Sequence, residues 1–448
     1  MLDKLNKKLS FLKPRVGVRA IITNTAWLVA DRILRMGGNL IVGVWVARYL
    51  GVEQYGLFNY AYALVALFSP IATLGLDNVV IRYIIREPSA KEKILGTTFG
   101  LKFIGGVLAL LLGTGTIFLL TEHQPLTVSL VAIFSATSIF QAFDTVDFWF
   151  QSQVQSKYTV VAKNTSFILT SLLKIYLITV KAPLLAFAYA TLAEVGLSAL
   201  GLVISYQCKN SSFLFWRWSF SLAKSLVQES LPLIFSAFAM FVNLKIDQVM
   251  LGQMVGKDAV GIYSAASRIS ELWYFIPAAI ISSSAPAIHA AKKEGNENLY
   301  YGRLKKITHI LMLVSVAIAV PMTFLSGIII TTLFGNAYAE AGTILSIHIW
   351  SSFFIFLGYS SGIWFVAEEL THLAFIRQMI GAIFNVLLNL LLIPAYSGLG
   401  AAIATVISYA FSSFLANAAH PQTKKLFMLQ LKSILLFPNI LTRMKQQK

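Results

Sequence analysis

The chain has 448 residues, 57% of them hydrophobic and only 12% charged, with a formal net charge of +17 and a mean hydropathy of +0.72. A water-soluble domain cannot carry that composition on its surface, so the chain reads as an all-α integral membrane protein. Its long apolar runs lack period-two alternation, which excludes a transmembrane barrel, and its one cysteine, Cys208, excludes a disulfide framework.

In chain order, Lys4, Lys7, Lys8, Lys13, Arg15 and Arg19 precede an apolar stretch that runs on to Leu50. That stretch is too long for a signal peptide and offers no small-residue cleavage site, so it is expected to remain as the first helix. A crossing needs about 20 apolar residues. Runs between turn signals place helices at about 20–48, 56–80, 95–120, 126–150, 158–180, 184–206, 228–252, 260–288, 305–332, 343–366, 372–393 and 398–418. If every helix crosses once, one side collects the N-terminal cluster, then Arg82, Arg86, Lys91, Lys93, Lys157, Lys209, Arg217, Lys224, Lys292, Lys293, Arg303, Lys305, Lys306, Lys424 and Lys425. The other side keeps little beyond Lys181 and Lys257, so both termini are expected in the cytoplasm. The same bias explains the basic net charge without nucleic acid. Leu426 to Leu441 is too short to cross and carries Lys432, which suits an interfacial amphipathic helix.

The chain repeats itself. Ala47-Arg48-Tyr49-Leu50-Gly51-Val52-Glu53-Gln54-Tyr55-Gly56-Leu57-Phe58 has an echo in Met254-Val255-Gly256-Lys257-Asp258-Ala259-Val260-Gly261-Ile262-Tyr263, with the two glycines at the same separation and an acid two residues after the first. Each stretch is expected to be a tight turn between the first two helices of a half. Two six-helix halves follow, 1–208 and 209–420, with a tail at 421–448. Parallel topology of the copies implies an axis along the membrane normal.

With the run Leu74 to Arg82 (LGLDNVVIR) and the turn Ile393-Pro394-Ala395-Tyr396-Ser397-Gly398-Leu399-Gly400-Ala401-Ala402, the first copy resembles the polysaccharide-exporter branch of the multidrug/oligosaccharidyl-lipid/polysaccharide superfamily, the flippases of O-antigen and capsule assembly. The resemblance covers essentially the whole chain. It implies a fold like that of the superfamily's multidrug exporters, in two six-helix bundles, and a lipid-linked oligosaccharide as substrate.

Ionisable residues inside a bilayer cost roughly 2.5–3.5 kcal/mol each on insertion scales, so they are expected to face a partner or a cavity. In helix 1, Asn24, Asp31, Arg35 and Asn39 fall on one face, with Arg32 beside it. Asp31 and Arg35 are one turn apart and suited to pair, but one aspartate cannot neutralise two arginines. Asn243 and Asp247 share a face of helix 7, with Lys245 turned away, and helix 8 carries Ser264, Ser267, Arg268 and Glu271 on a stripe. Arg268 and Glu271 read either as an ion pair or as cavity wall. Gln141, Asp144, Asp147 and Gln151 read as a hydrated face at the cytoplasmic end of helix 4, and Glu368, Glu369 and His372 as a solvated turn. Glu194 in helix 6 is the candidate coupling-ion site, with an ion pair to Lys174 as the alternative. Pro70, Pro232, Pro277, Pro286 and Pro321 are expected to permit bends.

These residues and the resemblance together lead to expectations about function. A polyprenyl diphosphate needs its charge held while it crosses, and Arg32, Arg35 and Arg268 are the candidates. Asn24, Asp31, Asn39, Asn243, Asp247 and Glu271 would line the cavity. A proton or sodium gradient would drive rocking of the halves, since Gly252-Gln253-Met254-Val255-Gly256-Lys257-Asp258 lacks the spacing of a nucleotide-binding loop. No catalytic residue, metal or cofactor is expected. The partners would be the lipid-linked oligosaccharide, the coupling ion, the bilayer, and the pathway's polymerase and glycosyltransferases, in a prokaryotic inner membrane. The alternatives are a cation-coupled multidrug exporter, a membrane polymerase or ligase, and a non-transporting scaffold.

Overall fold

The computed structural model describes residues 2–120, 124–209 and 212–435, with the backbone alone for residues 2–22 and for Thr25. In order the helices are α1 (Leu2–Ala66), α2 (Ser69–Thr73), α3 (Asp77–Arg86), α4 (Lys91–Leu120), α5 (Pro125–Phe140), α6 (Asp144–Ser152), α7 (Lys157–Thr179), α8 (Leu184–Gln207), α9 (Phe220–Met254), α10 (Lys257–Glu271), α11 (Phe275–Lys293), α12 (Glu297–Phe334), α13 (Glu340–His348), α14 (Ser351–Ala367), α15 (Thr371–Ser413) and α16 (Lys424–Leu435). The described residues contain no strand. This is what hydrocarbon permits, since a helix bonds every backbone polar group within its own segment.

Among the described residues, eight helices are long and apolar enough to cross a membrane, or nine if the pair Ala26–Ala66 and Ser69–Arg86, bent by 45°, is one span. Two of these runs contain a turn. In α1 Gly51 leaves the helix at φ 72°, ψ 175°, a conformation open essentially to glycine alone. In α15 the break falls at Ser397, φ 51° and ψ −132°. With these two runs divided, and with α10 and α11 taken as one rod, the described residues hold the twelve apolar rods read from the sequence. Two of the five prolines open helices rather than bend them. Pro70 and Pro277 stand in the first turns of α2 and α11, where a missing N–H costs nothing.

The described residues form two compact units, one drawn from residues 1–49 with 64–238 and the other from residues 50–63 with 239–448. In the first, α4 packs on α5 and α7 on α8, over a core of Leu76, Val80, Leu95, Val146, Phe150 and Tyr206. In the second, Tyr300, Leu304, Ile307 and Leu311 repeat at helical spacing along α12 and bury against Phe356, Trp364 and Phe365 of α14. The tail helix α16 docks on this second unit. Its Leu426, Gln430 and Ser433 are buried, with Gln430 Nε2 donating to Ser361 Oγ at 2.9 Å and to Ser413 O at 3.2 Å. Residues 436–441 of the expected interfacial helix lie outside the described residues. Glu368, read as solvated, accepts from Lys292 at 2.9 Å through both carboxylate oxygens.

The two repeat turns meet inside the second unit. Gly256 sits at φ 137°, ψ 175°, the same region as its counterpart Gly51. Their later glycines face each other, so that a Cβ on Gly56 would lie 1.8 Å from Lys257 O and one on Gly261 2.2 Å from Val52 O. Around this crossing, Lys257 Nζ donates to Gly252 O at 3.0 Å and lies 3.2 Å from the centre of the Tyr60 ring. The hydroxyl of Tyr60 accepts from Gln253.

Candidate functional site

In the first unit Arg35 Nε donates to Asp31 Oδ1 at 2.8 Å, and the guanidinium lies 5.7 Å from the Phe167 ring centre. Gly38, one turn on, leaves room for that ring, because a Cβ there would meet it at 2.7 Å. The pairing uses one edge of Arg35. Its Nη2 is buried with no hydrogen-bond partner, and Arg32 and Asn39 beside it are exposed. Asn24, further along this helix, is tied to α7, with Oδ1 accepting from Ser156 N at 2.7 Å and Nδ2 donating to Ser156 Oγ at 3.2 Å. Lys174 donates to Glu194 at 3.0 Å, the ion pair that was the alternative reading of both residues.

The acids of the fourth apolar run are not a hydrated face. Lys163 of α7 lies 3.0 Å from Asp144 and 2.7 Å from Asp147, and Lys102 of α4 lies 4.0 Å from Asp144. Lys102 is 1% exposed and stands 4.6 Å from the Phe148 ring centre. Three helices are therefore joined by a charge cluster. Its lysines escaped the sequence reading because a single lysine in an apolar run shows no partner from spacing.

In the second unit the polar side chains converge on Asp247. Oδ1 accepts from Asn389 Nδ2 at 2.6 Å, and Oδ2 accepts from the Tyr263 hydroxyl at 2.7 Å and from Thr405 Oγ1 at 2.5 Å. Asn389 also donates to Asn385 Oδ1 at 3.2 Å, and Thr405 Oγ1 is 2.9 Å from Ala401 O. Asp247 and Thr405 are each 2% exposed, Asn385 1% and Asn389 0%, so the group is sealed from solvent. Asn389 Oδ1 is buried without a hydrogen-bond partner. Only Asp247 of this set was singled out from sequence. The signal for two others was present in Asn385 and Asn389, four residues apart in an otherwise apolar run.

The remaining candidates sort differently. Asn243 donates to Ala239 O at 3.0 Å and braces its own helix. Glu271 pairs with Lys245 at 3.4 Å, so Lys245 is not turned away and Glu271 is not spent on Arg268. Arg268 Nη1 donates to the Tyr55 hydroxyl at 3.1 Å, and the Tyr55 ring packs edge-on to Tyr338 with centroids 6.1 Å apart.

Chemically, the first unit offers an unsatisfied guanidinium edge suited to an anion, and the second a buried carboxylate among neutral oxygens suited to a cation. Comparison with known proteins adds to this. The sequence model of the polysaccharide biosynthesis protein family matches residues 21–291, and the MatE family model matches residues 232–391. A probable flippase, AglR, of Haloferax volcanii is 31% identical over 186 residues, 40% of this chain and 38% of AglR. The match thus spans well under half of that relative. The capsular polysaccharide biosynthesis protein CapF of Staphylococcus aureus is 22% identical over 87% of this chain and 96% of CapF. Among solved structures, an inward-facing multidrug-resistance MATE transporter superposes with a TM-score of 0.72 at 15% identity, covering 92% of this chain and 99% of that one. The lipid II flippase MurJ in an inward closed conformation gives 0.68 at 16% identity, covering 94% and 93%. At these identities the two structures establish the fold.

Proposed function

The chain belongs to the polysaccharide biosynthesis protein family, a multi-span membrane transporter of the MOP superfamily, and from that premise we propose that it flips a polyprenyl-diphosphate-linked oligosaccharide from the cytoplasmic to the outer leaflet of a prokaryotic inner membrane, driven by a cation held at Asp247. The observation that carries the substrate is Arg35. A guanidinium whose Nη2 is buried and unpartnered is a costly arrangement unless an acceptor arrives, and a diphosphate supplies acceptors in the planar pattern that arginine matches best. Arg32 and Arg268 are the further contacts. A cationic drug would meet Arg32 and Arg35 with repulsion, which places the multidrug reading second.

The cation rests on a shortage of hydrogens. The Thr405 hydroxyl has one hydrogen and two acceptors, Asp247 Oδ2 at 2.5 Å and Ala401 O at 2.9 Å. Asn389 Oδ1 accepts nothing. Carboxylate, hydroxyl, carbonyl and amide oxygens gathered without enough donors are the ligand set of a hard cation, and a single carboxylate suits a single positive charge. A proton on Asp247 satisfies the same count. Glu194, already paired with Lys174, is the weaker candidate for this role. Binding the cation would neutralise Asp247 and favour one opening of the transporter over the other, which is how an ion gradient drives alternating access.

The test uses a strain lacking this gene. Lipid-linked oligosaccharide is measured on each face of the inner membrane, with complementation by wild type and by Arg32→Ala, Arg35→Ala or Arg268→Ala. Accumulation on the cytoplasmic face, cleared by wild type and not by a normally expressed arginine variant, is the expected outcome. Fully built oligosaccharide left unpolymerised on the outer face would place the chain after the flip and end this reading.

A further inference from the structure

The second unit holds a cavity of about 350 Å³ that none of the roles above uses. Asp258, Ile262, Glu340, Thr343, Ser397 and Gly398 are among the residues that line it. Asp258 and Glu340 stand in the first turns of α10 and α13, where a helix dipole favours an acid in any case. Two such acids are no site by themselves, but a sealed carboxylate lies beyond them. The cavity's lining carries no lysine, arginine or histidine among the described residues. The nearby Lys257 is engaged instead with Gly252 O and the Tyr60 ring.

Tyr263 lies between one residue of the cavity's wall, Gly398, and Asp247. Gly398 forms part of the lining, and a Cβ on it would lie 3.7 Å from Tyr263 Cβ. At the other end of the same side chain, the Tyr263 hydroxyl bonds Asp247 and approaches Thr405 Oγ1 at 3.3 Å. Gly398, Ala402 and Thr405 share one face of α15, and the first and last are separated by about 10 Å along the axis. One phenol thus runs between the cavity and the sealed carboxylate. The independent sign of a ligand lies at the far end, in the Asp247 group and outside the cavity's lining: Asn389 Oδ1 belongs to a residue 0% exposed and has no hydrogen-bond partner.

We propose that this cavity is the vestibule through which a monovalent metal cation reaches Asp247, with Tyr263 as the divider that must swing for it to pass. The inference rests on the cation reading of Asp247 and, on the orientation expected from loop charge, opens the vestibule to the outer side. The carboxylates of Asp258 and Glu340 raise the local cation concentration at its mouth. Confined charge of one sign accelerates capture by about tenfold to a thousandfold, and the acceleration fades as ionic strength rises.

The experiment follows binding and release of radiolabelled sodium by the purified full chain. In an Asp258→Asn/Glu340→Gln variant, association is expected to slow about tenfold at low ionic strength, with one site per chain retained and the difference shrinking as choline chloride is added. Thr343→Trp, which fills the cavity without touching Asp247, is expected to slow association and release together at unchanged affinity. Wild-type rates in either variant overturn the vestibule while leaving the Asp247 reading intact. If Asp247→Asn still binds sodium, or wild type does not, the Asp247 reading fails and the vestibule with it.

Discussion

At Asp247 each carboxylate oxygen is held by neutral donors, none of them charged, and that choice of residues decides what the group can bind. Asn389 contributes both a donor at 2.6 Å and an orphan acceptor. Asn389→Leu removes both and is expected to weaken sodium binding by about ten- to a hundredfold, as loss of a supporting metal contact does, measured by equilibrium binding. The cluster of Lys102, Lys163, Asp144 and Asp147 behaves in the opposite way, because its charges are balanced within the protein. Lys163→Met leaves Asp144 and Asp147 with Lys102 alone, at 4.0 Å from Asp144. Breaking a pair from one side costs about 3–5 kcal/mol when it is buried and about 0–1 kcal/mol when it is exposed; these side chains are half-buried, so a fall in unfolding temperature in detergent between those limits is expected. Asp147→Asn added to the same chain should recover part of it, because Asp144 is then left with Lys102. These residues also show where reading the sequence stopped. Helical spacing finds neighbours one turn apart, and it placed Asp31 beside Arg35. It cannot see Lys245 reaching Glu271 or Lys163 reaching Asp147, since those partners are chosen by how helices pack.

Helices were legible because the bilayer allows only helices and closed barrels, and the long apolar runs lack a barrel's alternation; most turns announced themselves by glycine or by charge. The repeat of Gly51 and Gly56 in Gly256 and Gly261 carried further than turn geometry. It marked a crossing in the second unit where backbones touch. Gly56→Ala places a methyl 1.8 Å from Lys257 O, where only backbone movement can relieve the clash. Overpacking of this kind costs about 1–3 kcal/mol. The same substitution at Gly37, which has nothing within 4 Å, is the control expected to leave the unfolding temperature unchanged. What spacing could not reveal was the state of the tail helix. Read as an interfacial element, α16 instead buries Gln430, which accepts from Asn417 at 2.9 Å and donates to Ser361 and Ser413. Gln430→Leu leaves those groups unsatisfied at a cost of about 1–3 kcal/mol. Protease sensitivity of the residues after Ser413 is expected to rise with it.

For the molecule as a whole, the direction of transport depends on which side the loops face, and the sequence supplies that only as a charge bias. Arg82, Arg86, Lys91, Lys93, Lys157, Lys209, Arg217 and Lys224 all stand at helix ends that an even number of crossings brings to one side. Cys208 belongs to the same side, directly after α8, and its side chain is exposed. It is the chain's only cysteine, so wild type already carries a unique chemical label. A membrane-impermeant maleimide is expected to modify Cys208 in inside-out vesicles and to leave it untouched in right-side-out vesicles. Asn336→Cys in a Cys208→Ser background moves the label to the exposed turn between α12 and α13 and should reverse the pattern. Agreement of the two labels places the cavity of Asp258 and Glu340 on the outer side, where the proposed cation would enter it down a sodium gradient. Labelling of Cys208 from outside would turn that cavity to the cytoplasm. The cation held at Asp247 would then be met on the way out rather than on the way in, and the coupling would run in the opposite sense.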